Sequence, residues 1–244
     1  MCLSVHELES YLKGFAFIFE DRILESILKE KVMLNRFDPR VFFDTEKSSF
    51  QSLFNLKQPV WFALQQLKQY IDSQSLGMIC IDISKDVFLV NPSLISIGEG
   101  TKIHPGAYIE GPCIIGKEVE IGHGAFIRPY NLIDDFCKIG HATEVKGSVL
   151  FPHAKAPHFN YVGDSILGCE VNLGAGVICA NYKINKTEVA IHDNGQKTAT
   201  GMKKFGAIIG DRASLGCNSV TNPGTLLKKE FWCVPCSNIK GVIL

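Results

Sequence analysis

The chain has 244 residues, and its 25 lysines and arginines balance 25 aspartates and glutamates, so no net field recruits nucleic acid or an anionic membrane. A hydrophobic share of 46% is ample for a buried core, yet no run approaches the roughly 18 apolar residues of a membrane-spanning helix. Met1 to Ser10 carries Glu7 and Glu9 and lacks a basic stretch followed by an apolar block, so it does not read as a secretion signal, and a cytoplasmic setting is expected.

Residues 1–90 read as a separate α/β unit of unknown role. Val5 to Lys13 and Glu25 to Leu34 suggest short helices, and Phe15 to Phe19 a strand. The clearest helix is predicted over Pro59 to Ile71, with proline in the first turn and Val60, Leu64, Leu67 and Ile71 on one stripe. Met78 to Ile83 and Val87 to Val90 read as strands leading onward. No glycine-rich phosphate loop, dinucleotide fingerprint or acid–base cluster stands here. The role expected of the segment is to cap the open end of the unit beginning near residue 91, where unpaired strand edges would invite association.

From Ile97 the pattern changes to a strict period of six. Ile97, Ile103, Ile109, Ile115, Ile121, Ile127, Ile133, Ile139 and Val145 recur at every sixth position. Four residues after each stands a small or moderate side chain: Thr101, Ala107, Cys113, Val119, Ala125, Asn131, Cys137, Thr143 and Val149. Neither a helix nor a half-buried flat strand repeats at six, whereas a parallel β-helix does. Three hexads make one triangular coil of 18 residues, with the aliphatics pointing inward and stacking at the strand spacing of about 4.8 Å. Gly98, Gly116, Gly122 and Gly140 directly follow aliphatics and suit corners with unusual backbone angles. The fold expected is mainly β, a parallel β-helix over 91–230 with a smaller α/β N-terminal cap and a C-terminal cap or tail at 231–244.

Two breaks interrupt the rhythm. Phe151 to Asn160, with Pro152 and Pro157, reads as a loop, after which a shifted frame resumes at Tyr161, Leu167, Leu173 and Cys179. The stretch 183–206, with Lys183, Lys186, Lys197, Lys203 and Lys204, reads as an arm projecting from the prism. The same frame returns at Ile209, Leu215, Thr221 and Leu227, thirty residues after Cys179, so the arm is an insertion into a continuing coil. Nine cysteines are an odd number. Cys113 and Cys137 fill small inward slots, and the lone Cys233/Cys236 pair is half a zinc or redox pattern. A reducing compartment fits better than a disulfide framework.

Function is sought where the repeat is violated, because positions that build the prism are already accounted for. Arg128 and Lys146 each follow an inward aliphatic and stand 18 residues apart, so they stack on one face. Two cations that close repel unless an anion such as phosphate sits between them. His158 titrates near neutrality and is the general-base candidate, with Glu144 positioned to reach a neighbouring face or a histidine. Read singly, each has a plainer alternative: a solvated face for Arg128 and Lys146, a loop histidine for His158, a corner turn for Asn172.

At these residues the chain resembles a known family. Ile127-Arg128-Pro129, Gly140-His141-Ala142-Thr143-Glu144-Val145-Lys146, Lys155-Ala156-Pro157-His158, Tyr161-Val162-Gly163-Asp164, Asn172-Leu173-Gly174-Ala175-Gly176 and Asn181-Tyr182 are similar to the acetyltransferase domain of the bifunctional N-acetylglucosamine-1-phosphate uridylyltransferase and glucosamine-1-phosphate acetyltransferase. The resemblance implies a left-handed coil, a homotrimer with sites between subunits, acetyl-CoA as co-substrate and no metal. It makes His158 the base, oriented by Glu144. Arg128, Lys146 and Lys186 would hold the phosphate of the amino sugar, and Tyr161 and Asn172 the sugar. Ala175, Asn181 and Tyr182 would line the pantetheine of coenzyme A, and Cys217 stands where the family has a serine near the thioester oxyanion.

Residues 1–90 are too short for the family's nucleotidyltransferase domain, so uridylyl transfer is not expected of this chain. The lysine-rich arm resembles that of archaeal sugar-phosphate nucleotidyltransferases with an attached acetyltransferase domain, some of which accept galactosamine 1-phosphate. Two readings of other classes stand beside this one. His123 and His141 should stack at one corner as in γ-type zinc carbonic anhydrases, but Pro105 fills the slot one coil earlier, leaving the required third ligand missing. The prism can also serve as a non-catalytic trimeric scaffold.

Overall fold

A computed structural model describes residues 36–244. The helices expected at Val5 to Lys13 and Glu25 to Leu34 and the strand at Phe15 to Phe19 lie outside the described residues. Within them the chain winds as a parallel β-helix with three faces, built from sheets of eight, seven and eight short strands. The first face begins at Ile95–Ile97 and ends at Val242–Ile243; the second runs from Lys102–Ile103 to Trp232–Cys233; the third runs from Phe88–Val90 to Asn238–Ile239. Consecutive strands on a face come from consecutive coils and pair in parallel register, as Ile109 does with Ile127 and Ile127 with Val145.

The six-residue period has its physical cause in this winding. Ile97, Ile109, Ile115, Ile121, Ile127, Ile133, Ile139 and Val145 are all buried in one continuous core, each contributing about 1.5–3 kcal/mol through burial of its side chain. The break after Val145 is one residue deep. Val145 pairs with Val162 and Leu150 with Leu167, so these coils hold 17 residues instead of 18. The shortening falls at Lys146-Gly147-Ser148, where the buried Ser148 takes the slot of Asn131 and donates its backbone N–H to the Asn131 side chain at 2.9 Å. Three expectations change with it. Val149 turns outward and pairs with Leu132. Val162, not Tyr161, is the inward rung of its strand. The expected loop at Phe151 to Asn160 contains a strand, Lys155–His158, in register with Lys138–His141.

The glycines serve a different purpose from the one expected. Gly98, Gly116, Gly122 and Gly140 have ordinary backbone angles; what excludes a side chain is the coil above. A Cβ at Gly140 would collide head-on with the Pro157 carbonyl oxygen, and one at Gly122 would lie 2.7 Å from the Gly140 carbonyl carbon. The left-handed corner positions fall elsewhere, and Ala142, Phe159 and Asn218 occupy them along with Gly124 and Gly176. Ala142 N–H donates to the His123 carbonyl, Phe159 to His141, Gly176 to His158 and Asn218 to Ala175, so each corner hangs from the coil before it.

The first face carries apolar side chains on both sides. Outward from it stand Ile114, Leu132, Val149, Ile166, Ile208, Leu226 and Val242, one per coil. Residues 36–72 lie along this face and cover it with Phe37, Phe42, Phe43, Phe54, Val60, Trp61, Leu64, Leu67 and Ile71. Helix α1 (Pro39–Phe42) is a single turn capped by the Asp38 carboxylate, and α2 spans Phe62–Asp72. The predicted stripe on α2 is buried as expected, although the helix begins at Phe62 and not at Pro59. Residues 36–72 therefore flank the coil. The end is closed by the stretch after α2, where Ile79, Ile81, Ile83 and Leu89 pack on the inner core; of the strand expected at Met78 to Ile83, one bridge remains, Ile79 to Ile97.

The inserted arm also departs from the expected projection. It forms an antiparallel hairpin, Val189–Asp193 with Gln196–Met202, closed by Asn194 and Gly195, both left-handed. Val189, Ile191 and the nearby Phe205 are buried in the same cluster as α2 and the first face. Arg36 Nη2 donates to Asp193 Oδ1 at 2.9 Å, and Gln65 Nε2 to the Thr200 carbonyl. The coil resumes across the insertion in register, with Leu167 pairing with Ile209 and Cys179 with Thr221.

Crowding between coils and left-handed strain separate in a substitution pair. Gly140→Ala should lower the urea unfolding free energy by about 3 kcal/mol, the upper end of overpacking costs. Gly124→Ala, where φ is +66° but an added Cβ meets nothing within 4 Å, should cost only about 1–2 kcal/mol. Equal losses would remove inter-coil crowding as the reason for the glycine after the aliphatic.

Candidate active site

The residues singled out by the sequence fall into groups on two faces and the corner between them. On the third face, Arg128 Nη1 donates to Glu144 Oε1 at 2.9 Å, and Lys146 Nζ reaches both Asp164 oxygens at 2.9 Å. The repulsion expected between the two cations is thus relieved within the chain, each having its own carboxylate. These pairs are partly solvated, which keeps their net contribution to stability small. Asn181 Nδ2 donates to Asp164 Oδ2 and, at 3.2 Å, to the Tyr161 hydroxyl. Arg128 with Glu144 thus lies beside a second polar group in which Lys146, Asp164, Asn181 and Tyr161 are joined by hydrogen bonds. Burial pushes the Tyr161 phenol above its ordinary range, opposed in part by the Asn181 amide.

At the corner stand His123, His141 and His158, followed in the same column by Ala175 and Cys217, as the corner hydrogen bonds trace. One step of this column is the strand spacing, about 4.8 Å. His158 lies in register with His141, its backbone N–H donating to the buried Asn160 side chain at 3.0 Å. Asn160 Nδ2 in turn donates to the Gly174 carbonyl at 2.8 Å, so the coil bearing Ala175 is tied to the coil bearing His158. The His158 imidazole is exposed, as is the Cys217 thiol.

Other expected contacts are not made within the single chain. The Glu144 carboxylate is engaged by Arg128, and no hydrogen bond joins it to His158 among the described residues. Asn172 is exposed on the second face between Lys155 and Ser214, away from Tyr161. Tyr182 is exposed beside Lys204, and Lys186 sits in an exposed left-handed turn of the arm. The missing third histidine of the zinc reading proves to be His158, which the 17-residue coil brings into the column. His123 and His141 stack with ring centroids 5.1 Å apart and planes 14° apart. Their Nδ1 atoms lie 3.1 Å apart, and among the described residues no group of three metal-ligating side chains is gathered there. The Cys233 side chain is turned toward the core while Cys236 is exposed at a corner, so the two thiols do not face each other.

Sequence reasoning missed the roles of Asp164 and Asn160. Both occupy slots in the 17-residue coils, and what they do comes from the register of neighbouring coils. The Tyr161-Val162-Gly163-Asp164 motif contained the first of them. A hollow of about 350 Å³ lies between this third-face group and helix α2, with Arg128, Lys146 and Asp164 among its lining residues. His158 is not among them.

The stacked hexads define the fold class, a parallel β-helix of hexapeptide repeats. More narrowly, the chain is similar to bifunctional enzymes of sugar-phosphate metabolism, an archaeal one included. It is 40% identical over 83 residues to the bifunctional sugar-1-phosphate nucleotidylyltransferase/acetyltransferase of Sulfurisphaera tokodaii, covering 34% of this chain and 21% of that protein. It is 33% identical over 123 residues to the bifunctional protein GlmU of Acetivibrio thermocellus, covering 50% of this chain and 19% of that protein. The chain thus spans about a fifth of the length of these curated relatives. Residues 109–200 match the GMPPB C-terminal domain family. Among solved structures, an N-acyltransferase from Bacillus cereus, AntD, in complex with dTDP and coenzyme A is 17% identical with a TM-score of 0.31, covering 64% of this chain and 78% of that one. A hexapeptide transferase family protein from Anaplasma phagocytophilum is 18% identical with a TM-score of 0.26, covering 65% and 77%.

Two measurements test the buried groups. Burial pushes the thiols of Cys113 and Cys169 up to about 12 and that of Cys179 up to about 11, and Cys137 is raised as well. These four should resist Ellman's reagent until the chain unfolds, while the exposed Cys80, Cys217 and Cys236 react at once; rapid labelling of Cys113 in the folded protein would contradict the inward assignment. In an ultraviolet titration compared with Tyr161→Phe, the Tyr161 phenolate should appear only above the ordinary tyrosine range near ~10.

Proposed function

We propose that the chain transfers the acetyl group of acetyl-CoA to the amine of an amino-sugar 1-phosphate, with glucosamine 1-phosphate as first acceptor and galactosamine 1-phosphate as the alternative. The observation that carries this reading is the column in which His158, Ala175 and Cys217 follow one another on successive coils, one corner away from the paired cations of the third face. The motifs of these residues and the acetyltransferase named among the relatives support it. His158 accepts a proton from the acceptor's ammonium group, and the freed amine nitrogen forms its bond to the thioester carbon. The negative charge develops on the carbonyl oxygen, the carbonyl re-forms as the carbon–sulfur bond breaks, and the departing coenzyme A thiolate takes up the second proton, which the nitrogen sheds as it becomes an amide.

Arg128 and Lys146 serve the phosphate in this scheme, and Glu144 and Asp164 hold them extended and ready until it arrives. A dianionic phosphate competes for both cations through charge-assisted hydrogen bonds. Tyr161 and Asn172 serve the sugar, Lys186 the phosphate from the arm, and Ala175, Asn181, Tyr182 and Cys217 the acyl donor. Asn172, Lys186 and the exposed His158 are dispersed over one chain, which is the reason to place the site at the seam of a homotrimer, where a neighbouring face supplies the opposite wall. Glu144 would meet the histidine only in that setting or after the phosphate has displaced it from Arg128. The product, an N-acetylamino-sugar 1-phosphate, is the substrate class for a nucleotidyl transfer leading to UDP-N-acetylglucosamine and cell-wall precursors. A cytoplasmic setting agrees with the free thiols.

The test is coenzyme A thiol release with acetyl-CoA and either amino-sugar 1-phosphate. His158→Ala should lower the rate by roughly 10²–10⁴-fold, the contribution of a general base, while unfolding at the same urea concentration as the wild type. Wild-type protein that releases no thiol with either acceptor between pH 6 and 9 would leave the trimeric scaffold as the function.

A further inference from the structure

Helix α2 does more than cover the first face. Its buried stripe seats Leu64 and Leu67 against the coil, and the next residue, Lys68, is left exposed at the mouth of the hollow that holds Arg128 and Lys146. Lys68 Nζ stands 5.2 Å from the centre of the Tyr130 ring, a cation–π arrangement that holds the ammonium group over the hollow. Tyr130 occupies a left-handed corner position, φ +63°, with its backbone N–H donating to the Pro112 carbonyl. That geometry turns its ring outward as the floor beneath Lys68.

The charges of the hollow do not balance. Three cations line it, Lys68, Arg128 and Lys146, against one carboxylate, Asp164. Glu144, paired with Arg128, lies outside the lining, and among the described residues Lys68 has no carboxylate partner at all. Counting both carboxylates still leaves one positive charge over, and it resides on the most accessible of the three groups. Leu64, Leu67 and Pro129 supply apolar walls on which the carbon skeleton of a ligand can rest.

We infer that Lys68 is the third cation of the acceptor's phosphate site, so that the N-terminal segment is part of the substrate-binding apparatus and selects a phosphate monoester carried on a compact polar body. This rests on the amino-sugar phosphate reading for the acceptor's identity, but not for the anion. The 3′-phosphate of coenzyme A is the other source of the same chemistry, and the two are separated by which ligand feels the substitution.

The experiment is calorimetric titration of the full chain, without acetyl-CoA, by glucosamine 1-phosphate, by glucosamine and by inorganic phosphate, with a parallel titration by coenzyme A. Loss of one charge-assisted hydrogen bond to phosphate should weaken glucosamine 1-phosphate about tenfold in Lys68→Ala and more in Lys68→Glu, with Lys68→Arg restoring most of the affinity. Coenzyme A affinity should stay unchanged, and in the thiol-release assay the change should fall on KM for the sugar phosphate and not on kcat. Three results would overturn the inference: unchanged sugar-phosphate affinity in Lys68→Glu, a loss confined to coenzyme A, or a fall in thermal stability with no change in binding, which would make Lys68 a packing group on Tyr130. Wild-type protein that binds neither glucosamine 1-phosphate nor inorganic phosphate would overturn it as well. Sugar-phosphate binding that depends on Lys68 without any thiol release would instead retire the acetyl-transfer reading and leave the anion site standing.

Discussion

Every feature of this molecule is fitted to the strand spacing between coils. Parallel rungs about 4.8 Å apart leave no room for a side chain where one corner passes beneath the next, and an alanine at Gly140 would drive its Cβ into the Pro157 carbonyl. The same spacing brings the corner N–H groups to the carbonyls of the previous coil and carries the inward aliphatics into one uninterrupted core. Because stacking is regular, any side chain at a corner is repeated by register on the coils above and below. A chemical group placed once acquires neighbours of predictable position, and in this chain those neighbours are three histidines, an alanine and a cysteine.

A coil with one apolar exterior cannot stand alone. The outward ladder from Ile114 to Val242 demands cover, and the aromatic-rich segment 36–72 and the hairpin of the arm supply it jointly. Phe43 and Phe54 pack on Phe151, with ring centroids 4.8 and 5.3 Å from it, so the covering layer is fixed by large, rigid side chains. The segment's position along the flank brings helix α2 to the corner where Arg128 and Lys146 emerge. The residues that hide the first face also build one wall of the hollow.

The third face shows how a coil keeps cations together before any ligand is bound. Alternating charges on successive rungs, Arg128 with Glu144 and Lys146 with Asp164, neutralise one another while leaving each partner in partial contact with water. Such pairs exchange at little cost. In the proposed acceptor complex an incoming phosphate would replace one set of charge-assisted hydrogen bonds with another. Asn181 holds the second carboxylate and the Tyr161 hydroxyl together.

The sequence alone determined the winding. Nine aliphatics at a strict period of six admit one geometry, and the return of Ile209, Leu215 and Leu227 in phase across the arm showed that the coil continues; both are consequences of local spacing. The candidate residues were legible as a set, because polar groups that interrupt such a repeat are not needed to fill its core. What the sequence left open was the partnership among them. The coil shortens by one residue at Lys146-Gly147-Ser148, which moves His158 into the column of His123 and His141, puts Val162 in place of Tyr161 inside, and makes a strand of a stretch that reads as a loop. The arm's hairpin was not read from the sequence, and the burial of Val189 and Ile191 is visible only against the face they cover. Glu144 pairing with Arg128, Lys146 with Asp164, and Lys68 standing over Tyr130 depend on register and docking between segments far apart in the chain. Those are properties of the assembled surface, and tertiary structure alone decided them.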